Sequence, residues 1–84
     1  MIDREQKLRL GDARKLSQMM QGESVPSSGL SKQMAEELLS EDLIWQQVYG
    51  SRRKFKLRDA NALSIYLAQR YGIQVSLDEW IKVM

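Results

Sequence analysis

The sequence predicts an α+β fold, mostly helical, with a two-stranded β-hairpin at about residues 43–58. Three observations carry that expectation. Apolar residues recur at spacings of three and four before residue 40 and again after residue 59, as on one side of a helix. Between them, Leu43-Ile44-Trp45-Gln46-Gln47-Val48 is an aliphatic and aromatic run of strand character. Tyr49-Gly50-Ser51-Arg52 then places glycine first and a small residue second in a two-residue loop, which suits a type II′ hairpin turn.

Asp3, with Gln6 three positions on, opens the chain as a helix cap. Leu10, Ala13, Leu16 and Met20 continue as an apolar stripe. Gly11 interrupts it and Asp12 is a good N-cap, so residues 3–21 read as one weakened helix or as two, at 3–10 and 12–21. Gly22 to Gly29 reads as a loop, with Val25 held extended by Pro26. A serine at 27, 28 or 31 caps a helix running from about Leu30 to Ser40. Its apolar face is Leu30, Met34, Ala35, Leu38 and Leu39; its polar face is Lys32, Gln33, Glu36, Glu37 and Ser40. After the hairpin, Asp59 caps a helix bearing Ala62, Leu63, Tyr66, Leu67 and Arg70, and Gly72 stops it. Ser76 with Glu79 opens a last short helix whose apolar residues are Leu77, Trp80, Ile81 and Met84.

Eighty-four residues make one domain, 1–84, and the end at Met84 inside an amphipathic helix suggests a domain excised from a longer protein. With no cysteine, disulfides and thiolate metal sites are excluded, and a reducing cytoplasm is the natural location. With no histidine, the commonest general base and metal ligand are missing. Glu36 and Glu37 are adjacent, about 100° apart around a helix, and so ill-placed as an acid–base pair. The serines read as turn and cap residues. The chain is therefore expected to be no enzyme and to take no cofactor or metal. No apolar run is long enough to span a membrane.

Charge supplies the functional clue. Formal net charge is only +2, yet residues 43–58 hold five basic and no acidic side chains, while residues 23–42 hold one basic and five acidic. With Gly50-Ser51 as the loop, strand alternation gives one hairpin face of Ile44, Gln46, Val48, Arg53, Phe55 and Leu57, expected to pack on the helices. The other face carries Trp45, Gln47, Tyr49, Arg52, Lys54 and Lys56. Cations, an amide and aromatic rings together suit a nucleic-acid backbone and its bases or sugars. The same cations would also serve merely to block edge-to-edge strand pairing. The candidate contacts are Arg52, Arg53, Lys54 and Lys56 on phosphates, supported by Tyr49 and Gln47, with Lys32 and Gln33 added from the start of the preceding helix, where Ser27, Ser28 and Ser31 could also meet phosphate or base edges. Further along that helix Glu36, Glu37, Glu41 and Asp42 would repel phosphate, and they read as a solvated acidic face.

The stretch from Leu10 to about Leu67 resembles a winged helix-turn-helix domain. The residues that carry the resemblance are Leu38-Leu39 at a helix end, Glu41-Asp42-Leu43-Ile44 leading into the wing, and Gly50-Ser51-Arg52-Arg53 at its tip. Gly11-Asp12-Ala13, Val25-Pro26, the same Gly50-Ser51-Arg52-Arg53, and Asp59 with Ala62-Leu63 and Tyr66-Leu67 are also similar to N-terminal segments of larger bacterial proteins with a topoisomerase–primase-like nuclease domain, as in Wadjet-type plasmid defence. The resemblance implies a DNA-binding module with the nuclease elsewhere. One departure is visible: the span from Met20 to Leu30 is short for a full helix before the recognition helix. Either that helix is a turn near Pro26–Leu30, or the helices at 3–10 and 12–21 fill the first two places. The alternative function is a protein-interaction or homodimerisation module docking through Trp80, Ile81 and Met84.

Overall fold

The computed structural model describes residues 8–83. Its elements are α1 (Leu10–Met20), β1 (Val25–Pro26), a 3-10 turn (Ser27–Gly29), α2 (Lys32–Ser40), β2 (Ile44–Tyr49), β3 (Arg52–Leu57), α3 (Ala60–Tyr71) and α4 (Leu77–Val83). The α+β, mostly helical fold with a hairpin is as expected, and the arrangement is compatible with a winged-helix-like fold.

α1 begins at Leu10, so Gly11 lies in its first turn, and Leu8 and Arg9 before it are not helical. Ala13, Leu16 and Met19 are buried along the helix. The core stripe thus turns on Met19, with Met20 half-buried. Asp12 is not the cap: Arg9 holds that place with no side-chain bond. Asp12 is buried instead, and its carboxylate accepts from the Ser31 N–H at 2.8 Å and the Ser31 Oγ–H at 2.9 Å. Asp3, Gln6 and most of the helix expected over 3–10 lie outside the described residues, as does Met84.

Between α1 and α2 there is no full helix. A 3-10 turn at Ser27–Gly29 lies there, as the first of the two alternatives expects, while most of the helix at 3–10 that the second needs lies outside the described residues. α2 begins at Lys32, later than Leu30, because Ser31 is its cap: Ser31 Oγ accepts from the Met34 N–H at 3.2 Å. The helix ends in a Schellman arrangement. Leu43 N–H donates to Leu38 O and Asp42 N–H to Leu39 O, with Asp42 in the left-handed region at φ 61°. Leu38 and Leu43 are both buried beneath that turn, whereas Leu39 is partly exposed.

β2 and β3 pair antiparallel in the expected register, Ile44 opposite Leu57 through Tyr49 opposite Arg52. Gly50 has φ 62° and Ser51 does not share a positive φ, as a type II′ turn requires. β1 adds a third strand, in the order β1-β3-β2, with Val25 opposite Phe55 and Pro26 opposite Lys54. Pro26 sits on an edge strand, where its missing N–H costs no ladder bond.

The core lies between the sheet's inner face and the helices, with Leu16, Leu38, Leu63 and Leu67 sealed from solvent. Asp59 caps α3 through the Asn61 N–H, and Gly72 ends it at φ 71°. Ser76 Oγ accepts from the Glu79 N–H before α4. α4 returns to α1, where Ser17 Oγ–H donates to Asp78 Oδ1 at 2.5 Å. Among the described residues, no helix is long and apolar enough to cross a membrane.

Candidate nucleic-acid interface

The hairpin is buried only at its base. Ile44, Phe55 and Leu57 pack into the core or against it, but on the same face Gln46 is exposed and Val48 is 60% exposed. The expectation that this whole face would pack on the helices is therefore corrected. β1 covers β3 only at Phe55 and Lys54, so the last pairs, Val48 with Arg53 and Tyr49 with Arg52, project beyond the body.

Arg52 and Arg53 lie on those last pairs, and Lys54 and Lys56 follow nearer the base. Arg52, Arg53 and Lys56 are exposed and Lys54 is half-buried beside β1. Among the described residues, no carboxylate lies within ion-pair distance of these four. Arg52, Arg53 and Lys54 line one side of an open groove of about 370 Å³, and Pro26, Ser27 and Ser28 line the other. The lining thus brings cationic and hydroxyl-bearing residues together, with Arg52 and Lys54 on the outer face of the hairpin and Arg53 on the inner, a combination that suits an anionic oxygen cluster. Ser27 and Ser28, expected to meet phosphate from the start of the helix, are placed against the hairpin by the 3-10 turn, which follows β1 directly.

Gln47 and Tyr49 lie on the outer face, and the Tyr49 hydroxyl donates to Gln47 Oε1 at 3.2 Å. The fifth cation, Arg58, is committed. Its guanidinium lies 5.0 Å over the Trp45 ring and 4.0 Å from Asp42 Oδ1, and its backbone N–H closes the hairpin base on Leu43 O. Lys32 and Gln33 are exposed in the first turn of α2, but they do not line the groove with the hairpin cations.

The acidic helix is not a uniformly solvated face. Glu36 and Glu41 are exposed, but the Glu37 side chain is only 16% exposed. Its carboxylate accepts from the Tyr66 hydroxyl and from the Tyr71 hydroxyl at 2.9 Å and 3.0 Å, and Arg70 Nε lies 3.6 Å away. Burial, then hydrogen bonding to Glu37, pushes the Tyr71 phenol up to about 12, and the same causes raise Tyr66 further. This polar node fastens α2 to α3. Trp80 and Ile81 pack against the protein's own core, and Val83 beyond them is largely exposed. No family model matches the chain, and neither a curated protein nor a solved structure matches it.

Proposed function

We propose that the chain is a non-catalytic DNA-binding module of winged-helix type that grips the phosphate backbone with its hairpin. The observation that carries this reading is four cations, Arg52, Arg53, Lys54 and Lys56, gathered on one hairpin with no carboxylate among the described residues to neutralise them. Cations tied up internally would have little left for phosphates; these have their full charge to give. Arg52, Arg53 and Lys54 take a phosphate in the groove facing Ser27 and Ser28, and Lys56 extends the line of charge toward the hairpin base. Gln47 and Tyr49 support them. Lys32 and Gln33 add contacts from the first turn of α2, while Glu36 and Glu41 keep the rest of that helix away from the duplex. The binding so described reads backbone and shape rather than base sequence. It also suits a protein without cysteines working in the cytoplasm.

The test is fluorescence anisotropy of a labelled duplex across a salt series, with wild type and the Arg52→Ala, Arg53→Ala, Lys54→Ala, Lys56→Ala variant. The slope of log affinity against log salt is expected to shrink by about 0.9 for each phosphate contact removed. A variant that binds as wild type does would sink the proposal.

A further inference from the structure

The solvent-facing side of the sheet carries more than charge. Trp45 is 50% exposed and Tyr49 is 56% exposed, and both rise from the same face of β2. Opposite them on β3 stand Lys56 and Arg52, with Gln47 and Lys54 paired in the row between. The face carries no acidic side chain. Both rings are held in place without being covered. Arg58 stacks over one side of Trp45, and Gln47 holds the Tyr49 hydroxyl. Their order is therefore largely established before any ligand arrives, which lowers the entropic cost of using them.

A backbone clamp can use the Tyr49 hydroxyl but leaves the faces of both rings unused. In a duplex the base faces are already stacked on one another and cannot receive them. Bases of a single strand present free π-faces, and stacking on protein aromatics beside a basic track is how such strands are held. The spacing agrees. Four residues of antiparallel strand separate Trp45 from Tyr49 by about 13 Å, with rows of side chains about 7 Å apart. Bases in a stacked strand follow one another at about 3.4 Å. A strand drawn out to about twice that rise sets one nucleotide on each row, with alternate bases over the two rings and phosphates beside Lys56, Lys54 and Arg52.

We infer that the outer face of the hairpin binds single-stranded DNA, with unpaired bases stacked on Trp45 and Tyr49. This rests on the nucleic-acid reading above and specifies its ligand.

The test measures a labelled oligothymidylate and a duplex of equal length in parallel, with wild type, Trp45→Ala, Tyr49→Ala, the double variant and Trp45→Phe. Trp45→Ala is expected to weaken the oligothymidylate about tenfold and to leave duplex affinity within about twofold, whereas Tyr49→Ala should cost the oligothymidylate about tenfold and the duplex clearly less. Trp45→Phe should retain most of the single-strand affinity. In a Trp80→Phe background, where Trp45 is the remaining tryptophan, oligothymidylate should quench its fluorescence and the duplex should not. Equal losses for both probes would mean that the rings only support the hairpin, and no loss would mean that they touch no base; either result overturns the inference while leaving the cationic clamp standing. Tighter binding of oligouridylate than oligothymidylate overturns the assignment to DNA. Single-strand binding that needs the rings, with no duplex binding at all, would sustain the inference and remove the duplex reading. A wild-type chain that binds neither probe removes both.

Discussion

The acidic helix α2 and the basic hairpin that follows it look alike in the sequence, as two runs of one sign of charge. Folding treats them differently. Glu37 on α2 turns inward to two tyrosines and an arginine, whereas the four cations of the hairpin are left with no carboxylate partner among the described residues. The difference teaches how to tell charge that holds a fold together from charge directed at a partner. The first should govern stability and leave binding alone; the second should do the reverse.

The largest expected effect lies on the binding side. Removing Arg52, Arg53, Lys54 and Lys56 together should cost more than about tenfold in duplex affinity at low salt, while the thermal midpoint stays within a few degrees because no intramolecular ion pair is lost. A large fall in the midpoint would erase the distinction. Next comes Glu37→Ala, which strips the acceptor from Tyr66 and Tyr71 and should destabilise the fold by about 2–3 kcal/mol in urea unfolding, with duplex affinity unchanged for the folded fraction.

Alkaline pH probes the same node without mutation. Below the ordinary tyrosine value of 10.0, Tyr71 is neutral in both the folded and unfolded states, and its contribution to stability is complete. Above it the unfolded chain ionises first, while the folded chain holds the Tyr71 proton until about 12. Stability should therefore fall as pH rises from about 10 to 12, and Tyr66→Phe with Tyr71→Phe should flatten that fall. A profile identical in the double variant would detach the tyrosines from the effect. Ser31→Ala should cost about 1 kcal/mol through the lost cap, and somewhat more because Asp12 loses one of its two donors. Glu36→Gln, one position from Glu37 but exposed, should change stability by less than about 0.5 kcal/mol, which makes it the sharpest control for the comparison.

Local signals were legible where the physics is local. The hairpin register follows from a glycine at the one loop position with positive φ and from alternation on both sides of it. Asp59, Gly72 and Ser76 act as read, because caps and stops involve residues within a turn of one another. What the sequence hid depends on distance along the chain. Glu37 meets Tyr66 and Tyr71, 29 and 34 positions away, and an acidic residue next to Glu36 gives no sign of turning inward. Asp12 is equally able to cap a helix or to receive a distant serine, and only the packing of α1 against the start of α2 decides between them. Of the candidate site, the hairpin cations were legible as a cluster. Ser27 and Ser28 were legible as phosphate candidates at a helix start but not as neighbours of the hairpin, because a three-residue 3-10 turn leaves no periodic signature.

The brevity of β1 has a mechanical consequence. Two residues of strand pair with β3 at Phe55 and Lys54, and nearer the hairpin turn that side meets only the short 3-10 turn, with no further strand. The hairpin is then a cantilever, fixed at Ile44 and Leu57 and loaded at Gly50. Its amides should exchange with solvent deuterium in a gradient, fastest at the tip and slowest beside Phe55.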